Sequence, residues 1–252
     1  MTQFEVWTTR AEETVGDHRL AVLDMNEKDF DLALALLTPS LFQHYIQPKR
    51  LERALRRGGK RAAATLSVKA PTSVRTRSGD LGEILGTNYV REELGYTTVF
   101  KLRWKDHNNL AMRGDDLIAV RVTEQGKLEF LKGESKSRAR PSASVVKEAR
   151  SALASQEGRP NPATMAFLVN MLDESGEEDL ADRVDDVLAE KSVTIDQLEH
   201  LLFLFNGSDA AQLLRDDLQS APTTISQVAV SLRVRSHQEL IRELFDGAIL
   251  GA

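Results

Sequence analysis

The chain has 252 residues, 41% hydrophobic and 28% charged, enough for a substantial globular core. It has no cysteine, which excludes disulfides, thiolate zinc sites and cysteine nucleophiles, and no apolar run near the roughly 20 residues of a membrane span. The net charge of −5 is unevenly spread, with −5 over residues 1–46, +10 over 47–140 and −10 over 141–252, so the middle block alone suits a polyanion. The opening "MTQFEVWTTRAEE" lacks a basic region followed by an apolar one, so no signal peptide is expected and a cytoplasmic location fits.

In chain order, "HRLAVLDM" predicts a strand and "EKDFDLALALLTPSLFQHYI" a helix. Residues 48–61 follow, where seven of fourteen are Lys or Arg against one Glu. Such a run reads as a solvated helix face or as a phosphate-contacting element. Its "RRGGKR" is not a P-loop, because the glycine spacing is wrong and no Ser or Thr follows the Lys. "SGDLGEILGTNYVREELGY" predicts a helix with Ser78 as N-cap and Gly95 just past its end. Gly82 and Gly86 lie one turn apart inside it, each costing about 1 kcal/mol relative to Ala, so close approach of another backbone or of a ligand is expected there.

Strands are predicted over 97–104, 115–122 and 127–136, with "TEQG" as a hairpin turn between the last two. A helix over 142–156, capped by Ser142 or Ser144, leads through the loop "EGRPNP" to a stretch read as wholly helical from 163 to 218, broken at "ESGEED" and "NGSD". The apolar run "LLFLF" falls inside that helical reading. Residues 226–236 alternate as a strand, and "HQELIRELFDGAI" closes with a helix. The order points to an α/β sheet sandwiched by helices.

Side chains alternate faces along a strand, so Glu134 and Lys136 project the same way. Alone, a Glu-x-Lys strand reads as an exposed edge with a surface ion pair. The preceding strand, however, opens with Asp115 and Asp116, and pairing through "TEQG" brings Asp116, Glu134 and Lys136 to one end of the hairpin, where Glu83 of the earlier helix can join them. Either Asp can serve; Asp116 is preferred because it directly enters the apolar run. Two or three carboxylates make a hard oxygen site suited to Mg²⁺ or Mn²⁺, and a nearby Lys can position water or stabilise developing charge. Arg50, Arg53 and Arg57 of the basic segment, with Arg113 and Arg138, are candidate phosphate contacts; Arg140 also lies close in sequence to the proposed site. The five His residues are scattered without metal-ligand spacing, Tyr89 and Trp104 read as core residues, and Ser135 and Ser137 have no adjacent His to activate them.

"RGDDLIAV" followed by "LKGESKSR" resembles the Asp…Glu-x-Lys core of the PD-(D/E)xK nuclease superfamily, and "GDLGEILG" resembles the helix that supplies a further Glu in many of its members. Together, "GDLGEILG", "RGDDLIAV" and "FLKGESKSR" resemble the HamA family, the nuclease subunits of the Hachiman anti-phage defence system. The resemblance implies a helix–three-strand meander–helix–strand core over 78–156, completed by a strand and helix at 223–252. It leaves an N-terminal α/β extension at 1–77 and an acidic helical region at 157–222. It implies that Asp116 and Glu134 bind Mg²⁺ or Mn²⁺, that Lys136 is the catalytic lysine and that Glu83 is the helix carboxylate. It further implies a deoxyribonuclease of little sequence preference, restrained by a DNA helicase partner, HamB, for which the acidic region is a candidate docking surface. The rival expectations are a non-catalytic interaction subunit and a sequence-specific restriction-type endonuclease.

Overall fold

The computed structural model describes residues 2–105, 107–110, 114–190 and 193–250. Seven strands form one mixed sheet in the order β1-β2-β7-β6-β5-β4-β3. They are β1 (Thr8–Val15), β2 (His18–Met25), β3 (Thr97–Thr98), β4 (Leu117–Val122), β5 (Leu128–Arg138), β6 (Leu198–Asn206) and β7 (Ser226–Arg233). The central β2, β7, β6 and β5 run parallel, and antiparallel strands flank them at both edges. Because β2 pairs with β7, the two N-terminal strands belong to the same sheet as the rest.

Helices cover both faces. On one lie α1 (Gln3–Trp7), α2 (Phe30–Tyr45), α3 (Pro48–Arg56), α4 (Gly59–Lys69), α5 (Val74–Glu92) and α10 (His237–Leu250), packed around Leu81, Leu85, Leu131, Phe203 and Phe205. On the other, α6 (Ala143–Ala154) and α9 (Ala211–Ser220) pack against Leu202 and Leu204. Beside them α7 (Pro162–Ser175) and α8 (Glu178–Ala189) pack against Ile118, Val120 and Phe130. This is a three-layer α/β/α arrangement. Among the described residues no helix is long and apolar enough to cross a membrane.

Three local expectations are corrected, and one strand was not foreseen. Residues 198–206 form the central strand β6 rather than a helix, so the region 157–222 is not wholly helical. Every residue of β6 is buried, and a strand covered on both faces has the continuous apolar run of a core helix without alternation. The helix expected from Ser78 begins a turn earlier, where Ser73 accepts the Thr76 N–H; Ser78 lies inside it and hydrogen-bonds Ser137 at 2.8 Å. The strand expected over 97–104 shrinks to Thr97–Thr98 and gives way to a 3-10 turn at Lys101–Trp104. β1 carried no pattern, because most of its residues are exposed on this edge strand.

Candidate active site

The two glycines of α5 let the helix lie directly on the sheet. A Cβ at Gly82 would meet Ser135 Oγ at 3.0 Å and Ser137 Cβ at 3.3 Å, and one at Gly86 would meet Leu117 Cδ1 at 2.8 Å. Glu83 sits between them, at the level where β4 begins. The β4–β5 ladder starts with Leu117 opposite Gly133, while β5 runs on to Arg138. Among the described residues, 134–138 therefore pair with β6 on one side and with no strand on the other. Asp116 stands at the mouth of this gap, one step beyond the last rung and so across from Glu134, and its Oδ2 accepts the Ser135 N–H at 3.1 Å.

Lys136 donates to Glu134 Oε1 at 2.7 Å, two residues away on the same face, and reaches Glu148 Oε1 on α6 at 2.9 Å. Behind Asp116, the buried Lys101 donates to the Asp115 carbonyl. Glu83, Lys101 and Asp116 share a cavity of about 10 Å³, room for a single water.

Burial dominates the electrostatics of this recessed site, with like-charge repulsion second at Glu134 and Glu83. Burial, then repulsion from Asp116, pushes Glu134 up to about 7 despite Lys136. The same two causes hold Glu83 well above the usual carboxylate range, against the pull of Lys101. Asp116 is raised by burial, opposed by the Ser135 N–H, Lys101 and Lys136. Burial disfavours the charge on Lys136, but its bonds to Glu134 and Glu148 outweigh that, and its pKa is raised. Among the described residues no three His, Asp or Glu side chains form a ready-made cluster about one point.

The structure thus brings together Asp116, Glu134 and Lys136, with Glu83 behind them. Asp115 faces elsewhere: its Oδ2 accepts the Asn161 N–H at 2.7 Å, its own N–H donates to Thr164 Oγ1, and Lys132 lies 3.6 Å from Oδ1. The Asn161 and Thr164 contacts anchor Asp115 to the start of α7, and Lys132 of β5 is its ion-pair partner. Arg138 is exposed at the end of β5, and Arg50, Arg53 and Arg57 are exposed on or beside α3. Arg113 lies outside the described residues. Tyr89 is core, as expected, but Trp104 is 37% exposed. Of the histidines, His18, His44, His200 and His237 are buried.

Sequence reasoning missed Lys101 and Glu148, which come from the elements just before β4 and just after β5 and carry no local pattern. It also missed the pair behind Glu83, where Lys105 holds both oxygens of the buried Asp80 at 2.7 Å and Tyr45 donates to the same carboxylate. Asp80 precedes Glu83 by one helical turn, so a second carboxylate on the same face was visible as spacing.

The family model described as HamA matches residues 1–248. The chain belongs to the HamA family. A curated relative, Hachiman protein HamA of Bacillus cereus, is 25% identical over 179 residues, covering 71% of this chain. The matched stretch spans 63% of that relative's length. Hachiman is thus the defence system to which a relative of this chain belongs, and the HamA match runs through both halves of the sheet and the whole carboxylate–lysine site.

Proposed function

We propose that this chain is a metal-dependent deoxyribonuclease of the PD-(D/E)xK type. In this reading it acts in the cytoplasm as the effector of a Hachiman anti-phage system under control of a helicase partner, HamB. The observation that carries the reading is the convergence of Asp116, Glu134 and Lys136 where β4 stops and β5 continues, with both carboxyls pushed upward by burial and Glu134 further by Asp116. The order α5, β3, β4, β5, α6, β6, with β6 parallel to β5, supports the nuclease-like core.

Asp116 and Glu134 are the residues that would hold Mg²⁺ or Mn²⁺, with Glu83 as a further carboxylate. The donors are all oxygen, and a cation there would favour the charged forms that burial, and at Glu83 and Glu134 repulsion from Asp116, disfavour. When bound, such an ion polarises the scissile phosphate and acidifies a water. Lys136 stays cationic because Glu134 and Glu148 hold it so, and its role is to stabilise negative charge developing on the phosphate rather than to take a proton. The Ser135 N–H fixes Asp116, and the Gly82–Gly86 face of α5 fixes Glu83. Arg50, Arg53, Arg57 and Arg138 are exposed cations suited to backbone phosphates, which fits cutting with little sequence preference.

The test is cleavage of plasmid, linear and random-sequence DNA in Mg²⁺, Mn²⁺ or EDTA, with and without the helicase, by wild type and by Glu134→Ala/Lys136→Ala. The reading predicts metal-dependent cutting without a preferred sequence, lost in the folded variant. Cutting at one defined sequence would instead indicate a restriction-type enzyme. Cutting retained by the variant, or absent from wild type in every combination, would reject the assigned site.

A further inference from the structure

The cation-rich surface from which the nuclease reading takes Arg50, Arg53 and Arg57 extends beyond them onto α4. α3 and α4 form a helical pair, and Arg50, Arg61, Ala64, Thr65, Val68 and Lys69 line an open groove along it. No carboxylate lines the groove. Among the described residues neither Arg50 nor Arg61 makes an ion pair, although exposed arginines elsewhere, such as Arg56 with Glu52 and Arg242 with Glu243, do. Arg50 and Lys69 face each other closely enough that, after burial, the charge of Arg50 is what lowers the pKa of Lys69. Like charges brought together without a counter-charge are destabilising unless an anion joins them.

The groove continues toward the candidate active site. Lys69 Nζ donates to the Arg103 carbonyl at 2.7 Å, on the same 3-10 turn whose Lys101 reaches under Asp116. On that turn Arg103 stacks on Phe100 at 4.4 Å and is fixed by the Gln43 carbonyl, and Trp104 follows it with 37% of its surface exposed. The protein's other tryptophan, Trp7, is fully buried. A row of unpaired cations leading to an exposed aromatic is the layout that single nucleic-acid strands use, phosphates on the cations and bases on the ring.

We infer that the α3–α4 groove, through Arg50, Arg61 and Lys69, is a nucleic-acid backbone site that delivers a strand across Trp104 to the carboxylates. The inference rests on the nuclease reading for its substrate, but the groove binds independently of cleavage. Arg61, Lys69 and Trp104 are its new members.

The test is fluorescence anisotropy of a labelled single-stranded oligonucleotide, in EDTA so that nothing is cut, over a series of salt concentrations. Wild type is compared with Arg50→Gln/Arg61→Gln and with Arg19→Gln/Arg215→Gln. The latter makes the same charge change at the opposite edge of the sheet. Removing two phosphate contacts should flatten the slope of log K against log salt by roughly 1.4, which at about 0.1 M salt is a loss on the order of 25-fold. The opposite-edge variant should bind like wild type, and the tryptophan emission should be quenched on binding, since Trp104 is the exposed indole. Because the measurement is made in EDTA and reads binding alone, failure of the nuclease reading leaves this result standing. Equal affinity and slope in the two arginine variants, or no binding by wild type, would overturn the inference. So would loss of assembly with the helicase, seen by size-exclusion chromatography, with DNA affinity unchanged, which would give the groove to an acidic protein surface.

Discussion

The amine of Lys136 lies 2.9 Å from the carboxylate of Glu148, a residue of another element that sequence spacing does not connect to it. Glu148 is 64% exposed, so the contact adds little to stability: Glu148→Ala should change the unfolding free energy by less than about 1 kcal/mol. Its effect falls on the lysine. Glu148 is one of three groups, with Glu134 and Asp116, that raise the Lys136 pKa, so removing it lowers that pKa. Any cleavage activity should then fall at a lower pH on its alkaline side, whereas Glu148→Asp should restore part of the profile. The pH–rate profiles of the three proteins check this.

Asp115 and Asp116 should part company on substitution. Asp115→Ala leaves the buried Lys132 with only neutral acceptors at Ser155 and Arg159, and should destabilise the fold by about 3 kcal/mol. Asp116→Asn should leave stability at neutral pH unchanged or higher, because it removes repulsion from Glu83 and Glu134. It should also bring the Glu134 pKa down from about 7 toward the ordinary carboxylate value. Urea unfolding and carboxyl carbon-13 titration distinguish the two.

The glycines of α5 should differ as well. At Gly86 a methyl group would collide with Leu117 at 2.8 Å in a packed core, so Gly86→Ala should cost roughly 1–3 kcal/mol despite the better helix propensity of Ala. At Gly82 the nearest atom is Ser135 Oγ at 3.0 Å, a hydroxyl that can rotate, so Gly82→Ala should stay within about 1 kcal/mol of wild type. Thermal melts of the two variants decide the ranking.

These residues mark what was legible in the chain. Alternation placed Glu134 and Lys136 on one face, and two glycines a turn apart announced the close approach of α5 to β5. β6 was not legible, because burial on both faces erases the alternation that distinguishes strand from helix. Residues 97–104 broke off early because the chain turns to set Lys101 beneath Asp115. Lys101, Glu148 and the exposure of Trp104 depend on which elements pack side by side, and nothing in local spacing encodes that.

His200 gives a pH prediction with a definite sign. Its Nε2–H donates to the Gly158 carbonyl at 2.8 Å while Nδ1 faces Gln227, and burial lowers its pKa to about 4. The unfolded chain, with an ordinary histidine near 6.5, binds more protons between those values. The stability contributed by neutral His200 is therefore present above about pH 6.5 and lost as pH falls toward 4. His200→Gln should be less stable than wild type at alkaline pH, and the gap should close by roughly 3 kcal/mol as pH falls from 6.5 to 4. Urea midpoints across that range measure the gap.

The central claim is that the Asp116–Glu134–Lys136 gap cuts DNA, and the most direct measurement isolates the lysine. The chain mixed with the proposed helicase partner is given supercoiled plasmid in Mg²⁺, as wild type and as Lys136→Met, with circular dichroism melts of both proteins alongside. The account predicts nicked and linear products from wild type and none from the variant, at matching melting temperatures. Equal cutting by a folded Lys136→Met protein would contradict it.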